Sequence, residues 1–297
     1  MGFIESEERR FTEMEELKRL LVACAGLGRR KDQEDFQGSR FPSEDFDVED
    51  DGAQKLVCVT SGVSFLGLAI VNRLLRRGYS VRIIVHTEEE MEKVREVEGT
   101  NSNNSIKAVM AKLTQIESLL EAFEGCRGVF HTASFTDPAG LSGYSLWYAL
   151  GKLRAERAAW RIAKETGLKL VTICPALITG PHFIHSNPTA TIAYLKGAEE
   201  MFRDGVLATA DVMKLAEAHA CLMEAMDKTA FGRYIYFDNV IKTQDEAEEL
   251  ATMIGMPASK ISGNVSMKSP APFELSNKKI LTLMSTALHS CYKKIRN

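Results

Sequence analysis

One stretch, Lys55 to Val85, limits what this chain can fold into more than any other. An apolar, β-branched run from Leu56 to Thr60 gives way to small residues between Ser61 and Gly67. Leu68, Val71, Leu74 and Leu75 then recur at helical spacing, with Arg73, Arg76 and Arg77 on the opposite face. Gly78 stands where a helix commonly ends, and Val81–Val85 is a second apolar run. Strand, small-residue turn, helix and strand within about thirty residues make a βαβ unit of the dinucleotide-binding kind.

The turn is where chemistry would sit. Small side chains at Ser61, Ser64 and Gly67 let backbone come close to a pyrophosphate, and Ser64 can cap the helix. The first N–H groups of that helix, around Phe65 and Leu66, offer an anion a positive dipole end. The same pattern also serves as an ordinary βα turn that binds nothing, and the turn alone leaves both readings open.

Beyond it, Glu88–Glu98 reads as a charged helix, Ile106–Met110 as a strand, Ile116–Phe123 as a helix and Val129–Ala133 as a strand. Leu168–Cys174 is a further strand, so the fold class is α/β, a doubly wound parallel sheet with its cleft at the strands' carboxyl ends. Helices are expected at Asn187–Arg203, Lys214–Ala225, Thr243–Met253 and Asn277–Ile295, with a short strand at Arg233–Phe237. A net charge of -3 argues against nucleic acid or an anionic membrane surface as partner. The six cysteines lack metal-ligand or redox spacing and read as reduced core residues, which, with no apolar membrane span, points to the cytoplasm.

Residues 1–52 stand apart in composition. Glu5–Ala25 can form an amphipathic helix through Phe11, Met14, Leu17, Leu20 and Leu21, and Asp32–Gly52 is an acidic linker. Met1-Gly2-Phe-Ile-Glu-Ser6 matches the bare myristoylation pattern, but glutamates follow it where an anchor would gain from lysines. Three regions result: 1–52, a nucleotide-binding core at 53–181, and a substrate-side, largely helical region at 182–297.

Several motifs now agree in order. Phe123-Glu-Gly-Cys-Arg-Gly-Val-Phe-His-Thr-Ala133, Tyr148-Ala-Leu-Gly-Lys152 with Ala155-Glu156, and Pro175-Ala-Leu-Ile-Thr-Gly-Pro181 resemble the extended short-chain dehydrogenase/reductases, in particular plant cinnamoyl-CoA reductase-like and dihydroflavonol reductase-like proteins. The resemblance implies a Rossmann-like core, NADP as cofactor and a small carbonyl or acyl-thioester substrate. It implies that Tyr148 is the general acid and that Lys152, one helical turn on, lowers the tyrosine pKa and holds the nicotinamide ribose. Thr60, Ser61, Ser64, Phe65, Leu66 and Gly67 take the pyrophosphate side by the same resemblance. Thr132, Ala133, Lys152 and Pro175 take the nicotinamide side, with Arg82 and His86 beside the adenosine. His182, Phe183, His185 and Tyr194 are candidates for substrate contact, and no metal is implied.

The chain departs from that pattern. Ser61 and Ser64 replace two glycines of the family turn, His86 replaces an arginine and Lys112 an aspartate. Only sixteen residues, 132 to 147, separate His131 from Tyr148. That is too few for a crossover helix, another strand and the loop to Tyr148. One strand–helix unit, with the serine that partners the family's tyrosine, is therefore expected to be missing. Ser142 and Ser145 are the nearby hydroxyls. Two functions follow: an NADP-dependent reductase, impaired by the lost serine, or a non-catalytic nucleotide-binding or interaction protein derived from one, or a splice product of such an enzyme.

Overall fold

The computed structural model describes residues 55–100, 105–132, 144–181, 195, 197–263 and 274–294, and the side chains of these except 97–100, 144–150 and 287–294. Strands Leu56–Val59 (β1), Ser80–Val85 (β2), Ile106–Met110 (β3) and Gly128–Phe130 (β4) form a parallel sheet in the order β3-β2-β1-β4. Period-two alternation sorts its side chains. Val57, Val59, Val81, Ile83 and Phe130 meet helix Phe65–Arg76 (α1), and Val94 of helix Glu88–Thr100 (α2) joins them. Cys58 and Ile84 instead meet Leu119, Ala122 and Phe123 of helix Ile116–Phe123 (α3) on the opposite face.

Helix Tyr144–Thr166 (α4) leads into strand Val171–Pro175 (β5), which pairs in parallel with strand Gly232–Tyr236 (β8) and not with β4. The expected single sheet is therefore corrected: it is split between β4 and β5. A parallel strand there would need a crossover helix as well, for which the sixteen-residue connection is too short, and among the described residues no strand lies between them. The expected strands at Leu56–Thr60, Val81–Val85, Ile106–Met110 and Leu168–Cys174 otherwise appear within a few residues of their places, as does that around Val129.

Two features hold the halves together. Helix Val212–Ala225 (α6) packs beside α1, with Val212, Ala216 and Ala220 in the core of the first sheet, and places Leu215, Ala218 and Leu222 in one core with Tyr234 and Tyr236 of β8. At the strands' amino edge, Asp227 accepts from Arg127 and from Lys169, both at 2.7 Å, and so links the residue before β4 to the run before β5. Both α6 and β8 follow residue 181, so the core of the first sheet is completed by chain from beyond that expected boundary. A small sheet of Leu177–Thr179 (β6), Ala208–Asp211 (β7) and Asn239–Val240 (β9) adjoins Ala198–Arg203 (α5) and Gln244–Ile254 (α7), and Lys278–Lys294 (α8) packs Ile280 and Leu283 beside α6. Strands β6, β7 and β9 escaped the sequence reading because two to four residues carry too little periodicity. Among the described residues no helix is long and apolar enough to cross a membrane.

Candidate functional site

β1 is an inner strand of its sheet, and the turn after it opens at the carboxyl edge. Ser64 is the N-cap of α1, with φ -74° and ψ 163°, and its hydroxyl accepts from the Gly67 N–H at 3.1 Å. The same hydroxyl donates to the Ser61 carbonyl at 2.7 Å. Serine thus costs no left-handed strain here, since its φ is negative. Gly67 is irreplaceable for another reason: a Cβ there would stand 1.9 Å from the Ser61 carbonyl oxygen. The side chains of Phe65 and Leu66 pack inward, which leaves their backbone as their contribution to a ligand.

Beside the turn lies the end of β4. The buried Thr60 bonds through Oγ1 to His131 Nδ1 at 3.2 Å, and its N–H donates to the Phe130 carbonyl. His131 keeps an edge in solvent, yet desolvation, and then the charge of Lys152, lower its pKa. Burial lowers the pKa of Lys152 as well. The charge of Lys152 on α4 is thus felt by His131 at the end of β4. Thr132 Oγ1 is a buried atom with no hydrogen-bond partner among the described residues. It points to a missing ligand at this edge.

Glu156 sets the pose of α4. Its carboxylate takes two hydrogen bonds from Arg233, at 2.8 and 2.9 Å, and one from Thr172 at 2.8 Å. Thr172 and Arg233 are register partners on β5 and β8, so one carboxylate fixes the helix across both strands. Desolvation opposes its charge, but the Arg233 hydrogen bonds lead the forces that hold its pKa below the ordinary range. The sequence reading quoted Glu156 within a motif without giving it this task. His131 was likewise passed over in favour of its neighbour Thr132.

The adenosine side fits less well. Arg82 is corrected as a cofactor ligand: its guanidinium donates to the carbonyls of Glu121, Ala122 and Glu124 at 3.3, 2.7 and 2.9 Å. Those are the unpaired carbonyls at the end of α3, which runs antiparallel to the strands and ends at their amino edge. His86 stays at the carboxyl edge, donating from Nδ1 to the Ala111 carbonyl at 2.8 Å. Its own N–H is taken by Glu90 at 2.7 Å, and Glu88, Glu89 and Glu90 fill the first turn of α2. Three carboxylates oppose a phosphate there, and the exposed Lys112 after β3 is a cation nearby.

Pro175 closes β5, half-buried, and Gly180 at the end of its segment lies against Phe65, so the Pro175–Pro181 run reaches the turn. The backbone of α4 carries Tyr148 one turn before Lys152, but the Tyr148 side chain lies outside the described residues. So do Ala133, Ser142, His182, Phe183, His185 and Tyr194, and the side chain of Ser145.

An inner β1, a capped helix start, a glycine forced by close approach and a lysine on α4 whose charge reaches the end of β4 define a nucleotide-binding α/β protein. Residues 58–145 match the 3-beta hydroxysteroid dehydrogenase/isomerase family. The chain is 28% identical over 302 residues to cinnamoyl-CoA reductase 1 of Petunia hybrida, covering 80% of this chain and 90% of that one. It is 30% identical over 249 residues to dihydroflavonol 4-reductase of Callistephus chinensis, covering 60% and 67%. Its fold is similar to that of yeast methylglyoxal/isovaleraldehyde reductase complexed with NADPH, with TM-score 0.56, 17% identity and coverage of 77% and 93%. The chain belongs to the extended short-chain dehydrogenase/reductase family.

Proposed function

We propose that this chain is an NADP-dependent reductase whose substrate is an aromatic acyl-CoA thioester or a related carbonyl. The observation that carries the reading is the Thr60–His131 contact at the end of β4, where the charge of Lys152 is felt, beside the Ser64-capped start of α1. The cinnamoyl-CoA and dihydroflavonol reductases among its relatives suggest the substrate class, and the yeast neighbour complexed with NADPH suggests the cofactor.

NADPH, when bound, supplies the hydride. The turn from Thr60 to Gly67 would hold its pyrophosphate, and Thr132 and Lys152 its nicotinamide ribose. Tyr148 gives the proton to the carbonyl oxygen, and the ammonium of Lys152 eases that proton's departure by stabilising the phenolate. With Arg82 turned away and Glu88–Glu90 at the adenosine side, the preference for NADPH over NADH should be shallow, less than about tenfold. Loss of the family's serine removes one oxyanion donor, a defect of order 10²–10³ in rate.

A second reading, a non-catalytic nucleotide-binding protein, is favoured by the break between β4 and β5, the strands that flank the catalytic helix. One experiment separates the two. NADPH is titrated by fluorescence, and cinnamoyl-CoA reduction is then followed with wild type and Tyr148→Phe. Slow turnover lost in Tyr148→Phe supports the reductase. Binding without turnover supports the second reading, and absence of binding defeats both.

A further inference from the structure

The split sheet leaves a bare apolar trough on the α3–α4 side. Its floor is Val129, which shares a face with Cys58 but is 42% exposed although it lies on a strand next to β1. One wall is α3, where Leu119, Ala122 and Phe123 pack inward and Ile116 and Leu120, on the following flank, are 69% and 65% exposed. The other is α4, where Glu156 and Ala163 face the strands and Ala155, Ala158, Ala159 and Ile162 occupy the preceding flank, Ile162 being 48% exposed. Both helices are right-handed and run antiparallel to the strands, at about 100° per residue. The following flank of α3 and the preceding flank of α4 therefore face each other across β4. An exposed apolar strip walled by two helices and floored by a strand is a surface on which a third helix can pack.

We propose that the occupant is this chain's own segment Glu5–Ala25, docked by Phe11, Met14, Leu17, Leu20 and Leu21. A helix of that length is about 30 Å long, comparable with α4. The 29 residues from 26 to 54 join it to Lys55 at the amino edge of β1, and extended they span about 95–105 Å, ample to reach the neighbouring face. The segment would restore by docking the helical cover that the shortened 132–147 connection cannot supply.

Hydrogen exchange of the full chain tests this independently of catalysis. Amides of residues 11–21 should be protected at least about tenfold over coil rates, unchanged on tenfold dilution. The protection should vanish both in Leu17→Glu/Leu20→Glu and in the wall variants Leu120→Glu and Ile162→Glu, whose sites are exposed enough to keep the fold. Coil-rate exchange of residues 11–21 in wild type would overturn the proposal. So would protection that fades on dilution, which assigns the trough to a second copy, or protection that survives both wall variants.

Discussion

At the scale of single residues, Gly67 and Ser64 do different work in the same turn. A Cβ on Gly67 would lie 1.9 Å from the Ser61 carbonyl, so Gly67→Ala must push α1 away from β1. A loss of about 2–3 kcal/mol in chemical denaturation, together with loss of NADPH binding, is the expected outcome. Ser64→Ala removes only the cap, about 1 kcal/mol, and Ser64→Gly costs a few tenths. The ordering of these three variants by melt is the check. Gly67 was legible in the sequence because its spacing from Thr60 is fixed by the turn. Arg82 was not legible as a helix clamp. Alternation along β2 tells that Arg82 leaves the α1 face, but not that the end of α3 lies where it emerges.

Among elements, the junction of β4 and β5 depends on Asp227 instead of a hydrogen-bonded ladder. Its pKa is lowered chiefly by the hydrogen bond from Lys169, with that from Arg127 also contributing. A depressed carboxylate gives stability that is fully present above its ordinary value near 3.8 and is lost as pH falls through its folded value. The pair is half exposed, so Asp227→Asn should cost about 1 kcal/mol or less at neutral pH. Its larger signature should be faster exchange of the β4 amides in hydrogen-exchange measurements. The shortness of 132–147 was visible in the sequence, and with it the lost unit. What replaced that unit was not, because Asp227, Arg127 and Lys169 are brought together by the placing of α6 and by no local pattern.

For the whole molecule, α6 belongs to the apolar cores of both halves, so a disturbance within it reads out as global stability. His219 on α6 is held neutral by desolvation, its pKa pushed down to about 4 against a backbone hydrogen bond to Leu215 that favours the charged form. An unfolded histidine takes its proton near 6.5, so the folded state should lose stability as pH falls from there toward 4. His219→Gln should flatten that limb of the stability curve between those values, as read by denaturant midpoints. The proposed reductase stands on a dinucleotide site at the edge shared by β1, β4 and α4, despite the split sheet. Its most direct test is the dissociation constant of NADPH for wild type, Ser64→Glu and Lys152→Met. Saturable wild-type binding should weaken by at least about tenfold in each variant, one placing a carboxylate at the helix start and the other removing the ammonium. Wild type that does not bind, or variants that bind as wild type does, would contradict it.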